Sequence, residues 1–239
     1  MEGLILILVL IIIIIVGSYI TGKINSEIHR NLYILLGKGF VRVWDFPGTL
    51  IHEFGHLIAA ILFRHKIERV KIICKENEEG LVSTTYNKRS LYQRMGLPFI
   101  ALGPIISGFV VILLILYVLM PDLFRITIDI IVLNENLKVS FEGLVDLFDM
   151  NLIYNLNFWL FILLISLIIP SVSLSNQDIK NIFKGVLNLV VILKIFYIIS
   201  EEIIFWLVNN MIFIQVLIIM FSLLIWMFTA FLIIIFKKT

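Results

Sequence analysis

Residues 49–63 read Thr-Leu-Ile-His-Glu-Phe-Gly-His-Leu-Ile-Ala-Ala-Ile-Leu-Phe, with His52, Glu53 and His56 in the order H-E-x-x-H. Residues four apart in a helix lie on the same face, so both imidazoles can reach one metal ion. Glu53 is placed to act as the general base of a zinc protease without being a ligand. Two imidazoles and a carboxylate without a partner would be costly in so apolar a segment. The pattern therefore favours a metal site over a chance match on a buried helix.

The composition is that of a membrane protein. Of the 239 residues, 61% are hydrophobic and 15% are charged, and several apolar runs are long enough to cross a bilayer. The net charge of +2 is too small to suggest a nucleic-acid partner. The single cysteine, Cys74, excludes internal disulfides and a Cys-rich zinc cluster. We expect one integral membrane domain over residues 1–239, in contact with the lipid bilayer and not with nucleic acid.

The apolar runs predict an all-α membrane protein with about six transmembrane helices. Pro47 and Thr49 are suited to the start of the motif helix. The mixed charges and aromatic residues of 21–46 suggest an interfacial segment before it. A core of about residues 45–200 is expected, with 3–20 and 205–236 as accessory helices. The predicted spans are residues 3–20, 47–63, 97–119, 154–170 and 179–199, and a last stretch that ends at Phe236.

Two further features follow the motif helix. Residues 66–74 and 81–86 are two β-prone runs around a polar, glycine-containing turn, which predicts a small β-hairpin. The next span carries Gly103-Pro104-Ile-Ile-Ser107-Gly108. Its small residues allow another element to approach closely, and Pro104 frees a backbone carbonyl that a neighbour can use.

A catalytic zinc site usually has three protein ligands, so a third is required beyond the two motif histidines. His29 and His65 lie in mixed or basic surroundings, where we expect them to be solvated or at the headgroup level. A carboxylate is therefore needed. Asp178 is the preferred candidate because it lies between two apolar spans, where an ionisable group is a functional candidate by default.

The same aspartate has a competing interpretation. Together with Ser175 and Asn176 it belongs to the residue types that cap a helix, and the span that follows needs a cap. The two roles are not exclusive. Among other acids, Asp45 lies just outside the predicted motif helix, and Glu201 and Glu202 are expected at the membrane face away from Asp178.

With these residues the chain resembles the intramembrane metalloproteases of the site-2 protease type, over about residues 45–185. The resemblance rests on the H-E-F-G-H of residues 52–56, on the hairpin-like segment, and on the Gly-Pro-x-x-Ser that opens the next span. The family commonly has Asn where this chain has Ser107. Its third zinc ligand is an aspartate in an N-x-x-P-x-x-x-L-D-G pattern. Here Pro170 precedes Asp178 by eight residues, and Ile179 stands where Gly is usual.

The resemblance implies a multi-pass protein of the cell membrane, a zinc-dependent endopeptidase that cuts membrane-protein substrates within or near the bilayer. His52, His56 and Asp178 would hold Zn²⁺, and Glu53 would be the catalytic base. The hairpin edge would either pair with an extended substrate or serve as a simple connector.

Two other functions fit the same residues. A membrane zinc hydrolase could attack lipid amides or esters by the same chemistry. The second alternative is a non-catalytic membrane protein that binds a metal, such as a transporter. Transporters commonly show internal repeats, and none is visible between the halves of this chain. The presence of Glu53 also argues against a purely structural zinc site.

Overall fold

A computed structural model describes residues 2–71, 81–133 and 154–236. These ranges are almost entirely helical, and a two-stranded antiparallel hairpin follows the first helix. The prediction of an all-α fold with a small hairpin is therefore confirmed. The helices are α1 (Glu2–Leu62), α2 (Leu91–Leu119), α3 (Pro121–Leu133), α4 (Leu156–Ile168), α5 (Asn176–Ile199) and α6 (Glu201–Phe236); the strands are β1 (Lys66–Lys71) and β2 (Leu81–Thr85), and a short 3₁₀ helix spans Ile169–Ser171.

Four of these helices, α1, α2, α5 and α6, are long and apolar enough to cross a membrane. The helix α4 is apolar but has only 13 residues. Length and composition are thus compatible with a membrane protein.

The first helix differs from its prediction. Residues 21–46, expected to form an interfacial segment, are helical, and Pro47 lies inside α1 instead of starting a new helix. The break in α1 comes at Gly37, whose φ of 78° and ψ of 173° are not helical. Glycine adopts a positive φ without steric cost. Pro47 only removes one backbone donor, a loss that a helix can bear where neighbouring helices support it.

Two apolar clusters form the interior. One joins the start of α1 to α2, α5 and α6, and it includes the fully buried Ile7 and Ile204. The other joins α2, α4, the 3₁₀ helix and α6 around Ile165 and Ile169. Residues of 3–20 and 205–236, which we expect to be accessory to the core of about 45–200, thus pack in the same apolar interior as α2 and α5.

The helix α2 contacts α1 through glycines, as the small residues of its sequence predict. A Cβ atom added to Gly103 would lie 2.5 Å from the backbone oxygen of Gly55, which precedes His56. The backbones of the two helices are therefore in direct contact beside the motif.

The helix α5 and the segment before it also pack closely against α2 at glycines. A Cβ on Gly185 of α5 would lie 2.5 Å from Cδ of Pro98, and a Cβ on Gly108 would lie 2.5 Å from Cγ2 of Val172. The helix α2 thus packs closely both against the helix that carries the histidines and against the helix that carries Asp178.

The hairpin is held at the end of α1. Its strands pair from Lys66 with Thr85 to Lys71 with Leu81. Lys66 lies 3.1 Å from the carboxylate of Glu68, and its side-chain hydrogen bond is the main reason that the pKa of Glu68 is lowered. The predicted turn at 75–80 lies outside the described residues.

Candidate metal centre

The two motif histidines lie one turn apart on α1, as predicted. His56 is buried and His52 is partly buried. Their rings are nearly perpendicular, with centroids 4.9 Å apart, and the two Nε2 atoms are separated by 3.2 Å. The i, i+4 spacing thus directs both Nε2 atoms to the same point.

A backbone carbonyl of α2 orients the second histidine. Nδ1 of His56 lies 2.7 Å from the backbone oxygen of Ile100. Because a carbonyl oxygen only accepts hydrogen bonds, this contact places the hydrogen on Nδ1 and leaves a lone pair on Nε2. The partner is available because Pro104, four residues after Ile100, has no N–H to donate to it. The carbonyl that Pro104 was predicted to free is therefore used by a ligand candidate.

Asp178 reaches the same point from α5. It is 4% exposed, and its Oδ1 lies 3.3 Å from Nε2 of His56 while its Oδ2 lies 3.8 Å from Nε2 of His52. The buried face of α5 consists of Asp178, Ile182, Gly185, Leu189 and Leu193. This helical spacing turns the carboxylate toward α1 and α2.

The carboxylate also takes part in the start of α5. Ser175 is the N-cap, and its backbone N–H and hydroxyl donate to Oδ2 of Asp178 at 2.9 and 2.6 Å. The N–H of Asp178 is in turn 3.1 Å from the Ser175 hydroxyl. This is a capping box with Asp in the third position. The capping role considered for Asp178 is therefore observed, and the same carboxylate also faces the two imidazoles.

The donor set suits a transition-metal ion. His52, His56 and Asp178 form the group of three metal-capable side chains found among the described residues, with their ligand atoms within 4.8 Å of one another. Tetrahedral zinc at about 2.0–2.1 Å from its ligands separates them by roughly 3.3 Å. The Nε2–Nε2 separation of 3.2 Å and the 3.3 Å from Nε2 of His56 to Oδ1 of Asp178 match that spacing. The 3.8 Å from Nε2 of His52 to Oδ2 of Asp178 is wider. Imidazole and carboxylate also suit other divalent metals, so the geometry alone does not select zinc.

Glu53 is buried on α1, next to His52 in the chain. It does not belong to the group of ligand candidates. Ser107, which stands where the similar family commonly has Asn, donates to the backbone oxygen of Ile51 at 2.9 Å. It therefore ties α2 to α1 directly before the motif.

Other histidines and acids lie apart from this group. His29 pairs with Asp45 at 2.9 Å across the Gly37 break, and both belong to α1. The expectation that Asp45 lies outside the motif helix was wrong, because that helix extends back past Pro47. Glu201 is exposed and begins α6, beyond the C-terminal end of α5, whereas Asp178 lies in the first turn of α5. At 1.5 Å per residue, Asp178 is about 32 Å from the C-terminal end of α5.

The prediction of a solvated His65 was also wrong. This side chain is 6% exposed, its Nε2 lies 2.7 Å from the backbone oxygen of Gln93, and its ring stacks on Tyr86. The hairpin and the start of α2 close over it, although Arg64 and Lys66 flank it in sequence.

Two hydrogen-bonding partners were not identified by residue number from the sequence. The oxygen of Ile100 could have been identified by counting back four residues from Pro104. Asn25, whose Nδ2 donates to the oxygen of Pro170 at 2.8 Å, gave no local signal because its partner is 145 residues away.

Comparison of the chain with protein-family models, with curated proteins and with solved structures gave no match.

Proposed function

We propose that this protein is an intramembrane zinc-dependent endopeptidase of the site-2 protease type. The observation that supports the proposal most is the convergence of His52, His56 and Asp178 from two helices of an apolar bundle. The H-E-x-x-H order adds Glu53, a buried carboxylate that follows His52 in the sequence. A purely structural metal site has no need of that carboxylate.

Peptide hydrolysis at this site requires metal ligands and a general base, and different residues have these two roles. A zinc ion held by His52, His56 and Asp178 would supply the Lewis acidity that the reaction requires. Glu53 accepts a proton from the attacking water and transfers it to the leaving amine. Burial of these groups strengthens their electrostatic interactions with the reacting atoms.

The substrate that fits such a site is a membrane-spanning protein with a locally extended segment. A helix hides its peptide bonds in its own hydrogen bonds, so the segment must unwind before the carbonyl can be attacked. The edge of the β1–β2 hairpin is a candidate partner for the unwound strand.

The multi-pass arrangement in the cell membrane is part of the proposal. The break at Gly37 divides α1 into arms of about 35 and 25 residues. Each arm exceeds the roughly 20 residues needed to cross a bilayer. With α2, α5 and α6, and with the shorter α4, two spans from α1 would give the six predicted from the sequence.

Substitution of the general base tests this function. We expect Glu53→Gln to abolish cleavage of a co-expressed single-span reporter, because an amide cannot accept the proton. The zinc content should equal that of the wild type, because Glu53 is not a ligand. His29→Ala, a change outside the ligand group, is the matched control and should retain cleavage.

Continued cleavage by Glu53→Gln would contradict the mechanism. Turnover of purified lipids by the wild type, with no cleavage of the reporter, would instead favour the hydrolysis of lipid amides or esters.

A further inference from the structure

The helix α2 contains two prolines, Pro98 and Pro104, and each leaves one carbonyl without its helical donor. The carbonyl four residues before Pro98 belongs to Arg94, and it accepts from Nδ2 of Asn188 on α5 at 3.2 Å. The carbonyl four residues before Pro104 belongs to Ile100, which contacts His56. Each freed oxygen is therefore used by a side chain of another helix.

We propose that Pro104 is a positioning residue for the metal site, which sets the tautomer and the orientation of His56. The inference rests on the proposed metal site and assigns a role to a residue that touches neither metal nor substrate. Because Pro104 has no N–H, the backbone oxygen of Ile100 has no helical donor and can accept a hydrogen bond from another helix. That oxygen receives Nδ1–H of His56 at 2.7 Å and so keeps the Nε2 lone pair directed at the other two ligand candidates.

Any other residue at position 104 would restore a competing donor. Its backbone N–H would point along α2 at the oxygen of Ile100, as in an uninterrupted helix. The bond from His56 would then weaken, and the tautomer with hydrogen on Nε2 would become populated. That tautomer has no lone pair to offer a metal at Nε2.

Pro98 provides the matched control, since it occupies the same helix and frees a carbonyl in the same way. The carbonyl that it frees, that of Arg94, accepts from Asn188, which is partly buried and is not one of the ligand candidates. We therefore compare Pro104→Ala with Pro98→Ala in the full chain in detergent, by competition for zinc with a chromophoric chelator. Partners of metal-binding histidines commonly contribute about 10–100-fold to affinity. Pro104→Ala should weaken zinc binding by at least about tenfold, and Pro98→Ala by less than about threefold.

The tautomer is measured separately, by ¹H–¹⁵N NMR of the imidazoles in the zinc-free protein, with His56→Ala to assign the signals. The wild type and Pro98→Ala should carry the His56 hydrogen on Nδ1, and Pro104→Ala should show a mixture. The wild-type spectrum tests the inference even if a variant fails to fold, because hydrogen on Nε2 of wild-type His56 would overturn it. Equal zinc affinities for the two proline variants would also overturn it.

Failure of the proposed function gives a different result. In that case the wild type would bind no zinc, but His56 would still carry its hydrogen on Nδ1 and would lose this preference in Pro104→Ala. The role of Pro104 in positioning His56 would then be supported, and the proposed zinc enzyme would be rejected.

Discussion

Asp178 combines the helix cap and the contacts with the histidines in one carboxylate, and its Oδ2, which is 3.8 Å from Nε2 of His52, takes part in both. Oδ2 accepts both hydrogen bonds from Ser175, while Oδ1 is the oxygen nearer to His56. The capping box therefore holds the side chain in the conformation that a metal ligand needs. Less rotamer freedom remains to be lost when a metal binds.

The two contacts can be separated by substitution. In Asp178→Asn the amide oxygen still accepts from Ser175, but the neutral side chain is a poor metal ligand, so zinc should be lost. In Ser175→Ala the cap is lost, which costs about 1 kcal/mol of unfolding free energy, and one zinc per chain should remain. Metal analysis and denaturation of the metal-free proteins measure both quantities. The reverse pattern, with zinc lost from Ser175→Ala and kept by Asp178→Asn, would make Asp178 a helix-capping residue only.

At the scale of residues, the sequence predicted which groups are available for a contact better than it predicted which residue each group contacts. The i, i+4 spacing places His52 and His56 together whatever the rest of the chain does. Pro104 predicts a free carbonyl for the same local reason. That His56 uses this carbonyl depends on how α1 crosses α2, and no local pattern encodes the crossing.

At the scale of elements, the packing of α1 against α2 depends on the absence of side chains at Gly55 and Gly103. The carbonyl that orients His56 is on α2, so the separation of these helices sets the geometry of the site. Glycines are used in this way where membrane helices pack closely.

Gly103→Ala tests that dependence. The new methyl group would lie 2.5 Å from the backbone oxygen of Gly55, so the helices must move apart. We expect a loss of about 1–3 kcal/mol in unfolding free energy, as in other overpacked interiors, and weaker zinc binding. Gly22→Ala, on α1 with no atom within 4 Å of the added Cβ, is the control and should be neutral or stabilising. Equal stability of the two variants would contradict the close packing.

A second contact between elements runs from the first arm of α1 to the turn before α5. Asn25 is buried, and it donates to the oxygen of Pro170, eight residues before Asp178. The intervening Val172 and Leu174 are also buried, so the segment has little freedom to move.

Asn25→Ala should therefore lower both stability and zinc affinity. An unpaired buried carbonyl costs about 1–3 kcal/mol, and relaxation of the turn would shift Asp178. Asn31→Ala is the matched control, because Asn31 is buried on the same helix but donates to Thr229 of α6 at 3.2 Å. It should lower stability only. If chelator competition gives both variants the same zinc affinity, Asn25 does not support the site.

At the scale of the whole molecule, buried polar side chains make specific contacts between helices of an otherwise apolar bundle. The buried contact from Asn31 to Thr229 links the first and last helices, and Gly17 packs against the side chain of Gln215. Hydrophobicity alone identified these helices as possible spans but gave no information on their neighbours. This explains why the sequence predicted the helices better than it predicted which of them are neighbours.

The break in α1 was missed for a related reason. The charges of residues 21–46 suggested a segment at the membrane surface, yet the same residues are compatible with a helix. The interruption comes from a single glycine, Gly37, among four glycines at 17–39 in the sequence. Composition does not distinguish among these glycines, because the position of a break depends on what each arm packs against.

The metal content of the purified protein tests the central claim most directly. Wild-type protein and His29→Ala should each hold about one zinc ion per chain, whereas His56→Ala and Asp178→Ala should hold almost none. A wild type that binds no metal, or an Asp178→Ala variant that keeps a full equivalent of zinc, would contradict the site as described.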